Sequence, residues 1–337
     1  MDSKQDSKQP LVSVLLNSFN SQRFISEQID SILAQTYANL ELIVCDDCST
    51  DRTPEIVREY MQKDSRVKLT LNERNLGASS TFQKNCHLCR GEFIAPSDHD
   101  DFWLPEKIGL MVAYFSEHPE TELVFTDSVI TNMDFSKKMG SLQNKFGNSS
   151  QGEPVSINAL LERNLVPFHA SMFRQTLTRK IVPIPEGLMH DIWTALVCSL
   201  KSPLGYINQG LDLYRQHEKN MVGVSTRSTV FYSKRLNDLG FLQEHYKVKL
   251  ELLTIYKKLS TFEGSAAAQK ALNEKITNQT VLLDVMRSSS FGEFVRRLIR
   301  AAWTILNTSQ KYHFKQCLFL AFSWGAIRKL KLDSKAG

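Results

Sequence analysis

Three carboxylates crowd one short stretch of the chain, Gly91 to Pro105, which reads Gly-Glu-Phe-Ile-Ala-Pro-Ser-Asp-His-Asp-Asp-Phe-Trp-Leu-Pro. Asp98, Asp100 and Asp101 are close enough in sequence to repel one another unless a proton or a cation offsets them. The apolar Phe93-Ile94-Ala95 before them predicts a strand that stops at Pro96, and Pro105 suits the first turn of a following helix. On an extended strand-to-helix loop, Asp98 and Asp100 face the same way because side chains alternate. Two oxygen ligands on one side of a loop suit Mg²⁺ or Mn²⁺, with the remaining coordination positions left to phosphate oxygens. A solvated acidic loop with helix-capping aspartates is the plain alternative, since so short a motif also arises by chance.

The elements that must hold this loop lie on both sides of it. Leu11 to Leu16 is an almost continuous apolar run, as expected of a strand covered on both faces of a parallel sheet. Asn17-Ser18-Phe19-Asn20-Ser21 follows as a loop, and Phe24, Ile25, Ile29, Ile32 and Leu33 then recur at helical spacing. Leu40 to Cys45 predicts a second strand, Asp46 to Asp51 a second loop, and Pro54 opens a helix through about Met61. Val67 to Leu71 predicts a third strand, after which Asn75-Leu76-Gly77-Ala78 turns into a helix running to about Cys89. Beyond the acidic loop come a helix from Pro105 to about Glu117 and a strand at Leu123-Val124-Phe125. Strands alternating with helices through short loops predict an α/β class with a largely parallel sheet. Ligands of such sheets bind beyond the carboxyl ends of the strands. One cleft would therefore collect Asn17–Asn20, Asp46–Asp51 and Asp98–Asp101. There is no Gly-rich phosphate loop of the Rossmann or Walker type, so neutralising a phosphate falls to a metal.

Composition sets wider limits. The 337 residues allow one large or two ordinary domains, and 42% hydrophobic with 23% charged residues is a globular composition. The net charge of +5 is too mild to argue for nucleic acid. Its distribution says more: Phe291 to Gly337 holds nine basic residues (Arg296, Arg297, Arg300, Lys311, Lys315, Arg328, Lys329, Lys331, Lys335) against Glu293 and Asp333. The basic surplus thus sits in the tail, and the remainder is about neutral. Met1 to Pro10 is polar, with no apolar run behind a basic cluster, so no secretory signal is expected. Six cysteines without such a signal point to a reducing compartment.

With these residues in view, the chain resembles the family 2 glycosyltransferases, which have the GT-A fold, over roughly residues 11–220. Val12-Ser13-Val14-Leu15-Leu16-Asn17-Ser18-Phe19-Asn20 is similar to the family's opening strand and loop, with Phe19 where Tyr is usual. Asp46-Asp47-Cys48-Ser49-Thr50-Asp51 is similar to its Asp-Asp-Gly-Ser-Thr-Asp signature, with Cys48 in place of Gly. Asn75-Leu76-Gly77 matches its Asn-hydrophobe-Gly turn, and the acidic loop matches its metal-binding Asp-x-Asp, with His99 in the variable position. Tyr214-Arg215-Gln216-His217, followed by Asn220 and Gly223, resembles the segment closing the active site in bacterial rhamnosyltransferases and related surface-polysaccharide enzymes.

The resemblance implies a nucleotide-sugar donor, a divalent metal (Mg²⁺ or Mn²⁺) and inverting transfer of one sugar to an acceptor hydroxyl. It places Asp47 on the imide N–H of a uracil or thymine, where helix capping is the alternative. Phe19, beside Asn17 on the first loop, either stacks on that base or packs in the core. Asp98 is expected at the ribose or a metal-bound water and Asp100 on the metal, while Asp101 caps the Pro105 helix. Asp191, in Met189-His190-Asp191-Ile192-Trp193, is expected as the general base or as the cap of its own helix. His217 is expected on the metal or the diphosphate. The expected reaction moves rhamnose or a hexose from a dTDP- or UDP-sugar to a lipid-linked saccharide in O-antigen, capsule or exopolysaccharide synthesis.

Two further features lie outside this pattern. Cys45-x-x-Cys48 and Cys86-x-x-Cys89 form two zinc-like pairs, but residues 49–85 between them exceed the usual ribbon spacing of roughly 15–20 residues, which favours small buried thiols. From about residue 225 the pattern turns helical, and from about 291 it becomes basic, aromatic and amphipathic. That composition suits the anionic inner face of a plasma membrane, or packing on the catalytic domain. The expected organisation is a polar tail at 1–10, a GT-A domain at 11–224 and a helical region at 225–337, in a cytoplasmic, peripheral protein. Two rivals remain: a nucleotidyl- or phosphotransferase using the same carboxylates, and a zinc-stapled, membrane-associated binding module.

Overall fold

The computed structural model describes residues 9–146, 152–162, 164–185, 188–217, 250, 253–287 and 291–306. The chain divides into two compact units, Met1–Gly223 and Val224–Gly337. In the first, the apolar runs become strands of one nine-stranded sheet. β1 (Val12–Ser18), β2 (Leu40–Asp46), β3 (Val67–Leu71) and β4 (Phe93–Ser97) lie in the order β3-β2-β1-β4 and all run parallel. α1 (Ile25–Leu33), α2 (Thr53–Lys63) and α3 (Ala78–Asn85) connect them. β1 and β2 are buried along almost their whole length, as continuous Val, Leu and Ile runs require between two helical layers.

After β4 the sheet becomes mixed. The short β5 (Phe102–Trp103) leads to α4 (Lys107–Glu117), then to the long β6 (Leu123–Thr131) and to β7 (Lys138–Ser141), which pairs with β6. α5 (Leu142–Phe146) and α6 (Ile157–Glu162) precede β8 (Ser171–Arg174). α7 (Thr178–Ile181), α8 (His190–Cys198) and β9 (Gly205–Arg215) complete the unit. β8 runs antiparallel between β4 and β6, so β6 again points the way β1 points, and β9 pairs parallel with β6. The carboxyl ends of β1, β2, β4 and β9 therefore open on the same edge, and that edge is where a ligand would enter.

Two expected boundaries shift for local reasons. β4 runs on through Pro96 to Ser97 instead of stopping at Pro96. A proline lacks the N–H that a partner strand would use; here β8 pairs only with Phe93 and Ile94, so on that side Pro96 has no ladder to break. The helix expected to reach Cys89 ends at Asn85, and a 3₁₀ turn, Cys86–Leu88, follows.

At the opposite edge of the sheet, one buried carboxylate clamps four chain segments. Glu41, at the start of β2, accepts from Ser13 Oγ (2.7 Å), Lys68 Nζ (2.7 Å), and the Arg90 backbone N–H (2.9 Å) and Nη2 (2.8 Å). Burial opposes its charge, but the Lys68, Arg90 and Ser13 bonds outweigh it and hold this carboxyl down at about 2. Gly91 completes the clamp by donating its N–H to Ser13 Oγ (2.8 Å).

The second unit is helical among its described residues: a run at 253–260, then α9 (Ala266–Met286) and α10 (Phe291–Leu306). Ser265 caps α9 by accepting the Ala268 N–H (3.2 Å). α9 and α10 share a small core of Leu282, Val285, Phe294, Ala301 and Ile305. Among the described residues, no helix is long and apolar enough to cross a membrane. Residues 307–337, which carry most of the basic tail, lie outside the described residues, as do Asn220 and Gly223.

The close approach at Gly91 yields a test of the sheet. A Cβ there would meet Leu11 O and Ser13 N, both at 2.6 Å, and backbone cannot swing aside. Gly91→Ala should cost about 1–3 kcal/mol of stability, as overpacking does, read as a lower midpoint in urea unfolding. An unchanged midpoint would show that β1 and the Gly91 turn are not held this tightly.

Candidate active site

The acidic loop leaves β4 at the shared edge and is pinned from several sides. Arg215, the last residue of β9, donates from Nε to Asp100 O (2.8 Å) and from Nη1 to Met133 O (2.6 Å), and it also pairs with Glu27 of α1. Its guanidinium lies 4.8 Å from the Phe24 ring centroid and 4.0 Å from that of Phe135, within cation–π range of both. One buried arginine thus ties β9, α1, the β6–β7 turn and the acidic loop together.

The three aspartates then diverge. Asp98 is accessible, with 57% of its side chain exposed, and its Oδ2 lies 3.7 Å from His169 Nδ1. Asp101 is wholly buried, and its Oδ2 lies 3.9 Å from His169 Nε2. Asp100 Oδ2 sits 2.7 Å from His217 Nε2, and the His217 ring stacks on Phe24. Asp101 does not cap the next helix, as the sequence suggested: α4 starts at Lys107 without a side-chain cap, and the aspartate is turned inward toward His169.

The electrostatics follow from this crowding. Partial loss of hydration at the crowded floor of the cleft, although the side chain keeps an open side, together with the charges of Asp100, Asp191 and Asp212, pushes the Asp98 carboxyl up to about 7. Burial first, and then Asp100 and Asp98, raise Asp101 well above the usual carboxylate range. Burial also works against the Asp100 charge, but His99 and the His217 hydrogen bond outweigh it and hold this carboxyl below its ordinary value. Burial lowers His169, which favours the neutral, ligating ring.

The donor set fits a divalent cation. Asp98, Asp101 and His169 each offer one ligand atom, all within 4.8 Å of one another. Asp101 Oδ2 is buried and makes no hydrogen bond, the state of an acceptor waiting for a proton or a cation. Two carboxylate oxygens and an imidazole nitrogen suit Mn²⁺, and the oxygens suit Mg²⁺. Asp100 and His217, expected on the metal, lie beside this set on the same loop and on the residues after β9.

Beneath the acids lies a buried ion pair that the sequence did not reveal. Lys107, the first residue of α4, is wholly buried and donates to Asp212 Oδ2 (2.6 Å) and to His169 O (2.8 Å). Its ammonium also lies 4.1 Å from the Trp103 ring centroid. Asp212 stands opposite Trp103 where β5 pairs with β9. Lys107 therefore fixes the backbone of His169, whose ring stacks on Tyr214 and lies 3.1 Å from Ser128 Oγ. The clues were charged or polar residues inside apolar runs: Asp212 in Leu211-Asp212-Leu213, and His169 between Phe168 and Ala170.

On the other side of the cleft, Asp47 accepts the N–H groups of Leu76 (2.8 Å) and Gly77 (2.7 Å) and an amide proton of Asn72 (2.8 Å). Burial opposes the Asp47 charge, but these donors outweigh it and lower the carboxyl. Gly77 has φ +80°, the left-handed region that favours glycine, so the Asn-Leu-Gly turn has a backbone reason for its glycine. Cys48 has φ +64°, so this cysteine occupies a conformation that favours glycine. Asp46 accepts from Ser49 N (2.9 Å) and from Ser18 Oγ (3.2 Å), which ties the loops after β1 and β2 together. Asn17 donates from Nδ2 to Ala78 O (3.3 Å), while its buried Oδ1 has no partner among the described residues. Phe19 is 43% exposed at the tip of the first loop.

Asp191 reaches the cleft from α8. His190 sits between Phe82 and Phe168 and lies 3.0 Å from Ser79 Oγ through Nδ1, which docks the start of α8 on α3. Asp191 accepts the Ile192 N–H on Oδ1 (2.7 Å) and the Asn164 amide on Oδ2 (2.8 Å). Burial raises its carboxyl despite those bonds, which strengthens it as a base. The cysteine pairs have a different character: Cys45, Cys86 and Cys89 are buried, and burial pushes the Cys45 thiol up to about 12 and Cys86 to about 11, away from the thiolate that zinc requires.

Known proteins resemble this chain in sequence and in fold. An uncharacterized Mycobacterium tuberculosis protein is 29% identical over 210 residues, covering 61% of this chain and 59% of its own. An Escherichia coli protein named UDP-Glc:alpha-D-GlcNAc-diphosphoundecaprenol beta-1,3-glucosyltransferase WfgD is 43% identical over 103 residues, 31% of this chain and 40% of its own. The chain thus spans about three fifths of the first relative and two fifths of the second. Residues 1–349 of S. aureus TarS, solved in complex with UDP-GlcNAc, superpose with a TM-score of 0.61 at 17% identity, covering 97% of this chain and 92% of that one, so the fold is GT-A. The family described as Glycosyl transferase family 2 matches residues 13–181, half of the chain, and the chain belongs to it.

Proposed function

We propose that this protein is a metal-dependent, inverting glycosyltransferase of bacterial surface-polysaccharide synthesis. It takes a hexose from a UDP-sugar, or rhamnose from dTDP-rhamnose, and transfers it to a lipid-linked saccharide. One observation carries the reading: two accessible or orphaned carboxylates, Asp98 and Asp101, converge with His169 beside Asp100 and His217, within electrostatic reach of the raised carboxyl of Asp191. The activity named for E. coli WfgD, with a UDP-Glc donor and a diphosphoundecaprenol-linked acceptor, supports the donor and acceptor classes.

Each residue then has a part. Asp98, Asp101 and His169, with Asp100 and His217 adjacent, would hold a divalent cation. Once bound, the cation offsets the charge that grows on the departing diphosphate. Asp47 and the Leu76-Gly77 turn shape the base pocket, where the Asp47 carboxylate reads an imide N–H, and Phe19 covers the base from the first loop. Asp191 takes the proton from the acceptor hydroxyl, on the face of the sugar opposite the leaving group. An acceptor anchored in lipid places the enzyme at the inner face of the plasma membrane.

Thermal shift with a panel of UDP-, dTDP- and GDP-sugars in Mn²⁺ tests the donor class. A shift with UDP- or dTDP-sugars is expected, and one with GDP-sugars alone would overturn the base assignment. Asp191→Asn keeps the shape but cannot accept a proton at neutral pH, so turnover should fall by roughly 10²–10⁴ with donor affinity little changed. Weakened donor binding with turnover preserved would instead make Asp191 a binding residue. Asp100→Ala should abolish Mn²⁺-supported transfer while the circular dichroism spectrum stays that of the parent.

A pH dependence follows from the raised carboxyls. A carboxyl whose folded-state value is raised contributes stability below its unfolded value near 4 and loses it as pH rises through the folded value, about 7 for Asp98. Metal-free protein should therefore lose part of its stability between about pH 4 and 7 and lose no more from this group above that, and Mn²⁺ should restore most at the upper end. Asp98→Asn should flatten that slope; an identical slope in the variant would place the titration elsewhere.

A further inference from the structure

The face of α10 that points away from α9 has a definite chemistry. Phe294, Ala301 and Ile305 face inward and pack with Leu282 and Val285. The exposed residues are Arg296, Ile299, Arg300 and Trp303, at i, i+3, i+4 and i+7, which is one stripe along the helix. Ile299 is 65% and Trp303 70% exposed, and at i and i+4 the two apolar side chains are neighbours on the helix surface. Arg297, on the flank, is engaged with Asp284 and Glu293. Arg296 and Arg300 make no ion pair among the described residues.

We infer that this stripe is a contact surface for an anionic lipid bilayer, an inference that rests on the lipid-linked acceptor proposed above. The argument is complementarity. Two guanidinium groups with no ion pair among the described residues match lipid phosphates, and the isoleucine and indole on the same stripe match the boundary of headgroup and acyl chain. Along α10 itself Arg296, Arg297 and Arg300 outnumber the single acid, Glu293, so the helix carries a net positive charge. A protein partner fits less well. Two apolar side chains cover far less than the roughly 800 Å² per partner of a stable protein interface.

Flotation of the full chain with vesicles of phosphatidylcholine alone, or with phosphatidylglycerol added, tests the inference. The parent should float with anionic vesicles, not with neutral ones, and should be released by salt. Ile299→Glu with Trp303→Glu should reduce binding at least tenfold. Arg296→Gln with Arg300→Gln should reduce it several-fold at low salt and little at high salt. Both double variants should keep the parent's melting temperature and its hydrolysis of nucleotide-sugar without acceptor. Parent-like flotation of both double variants would overturn the stripe, as would parent binding that ignores lipid charge. Loss of flotation with an equal loss of donor hydrolysis would also overturn it, since the residues would then serve the fold. Intact flotation by a chain that hydrolyses no donor would leave the stripe standing and count against the transferase reading.

Discussion

The cleft depends on one constraint: several carboxylates converge where the sheet ends, and a single wholly buried ammonium lies beneath them. Lys107 is the counter-charge that the protein builds in. Its two hydrogen bonds and its aromatic neighbour use the ammonium fully, so it is fixed in place rather than free to follow a ligand. Burial lowers Lys107, and Asp212 holds its charge against that cost. Breaking such a pair from one side leaves an uncompensated buried charge, a loss of about 3–5 kcal/mol. One cation cannot balance Asp98, Asp101 and Asp212 together, and the remaining imbalance is what a divalent metal or added protons would satisfy.

The sheet accounts for how these groups meet. Parallel strands deliver their following loops to one edge, so the β1, β2 and β4 loops had to converge. The antiparallel insertion of β8 preserves the direction of β6, and its parallel partner β9 then ends at the same edge. That brings Arg215 and His217, over a hundred residues away in sequence, onto the Asp100 loop. β5, only two residues long, sets Trp103 against Asp212 and so fixes the register of the Lys107 pair. The clamp at Glu41 secures the opposite edge of the same strands.

The sequence revealed local order better than long-range pairing. Strands such as Leu40–Asp46 were legible because both faces are buried, and the apolar run is then continuous. The acidic loop and the Asn-Leu-Gly turn were legible because their spacing is itself the signal. His169, Lys107, Asp212 and Asn164 were not, because each acts through partners 27 to 105 residues away. Asp101 was misread as a cap because capping is the commonest local use of an aspartate ahead of a helix; only the fold shows that it faces His169. The signature aspartates also have structural partners that sequence alone hides: Asp46 holds Ser49 and Ser18, and Asp47 holds the turn at Gly77.

The most direct test of the account is anomalous diffraction from crystals grown with Mn²⁺ and a nucleoside diphosphate. One manganese peak is expected in the cleft, bonded to carboxylate oxygens from the Asp98–Asp101 loop, to an imidazole nitrogen of His169 or His217, and to the diphosphate. A nucleotide well ordered at that edge, with no manganese peak among these residues, would contradict it.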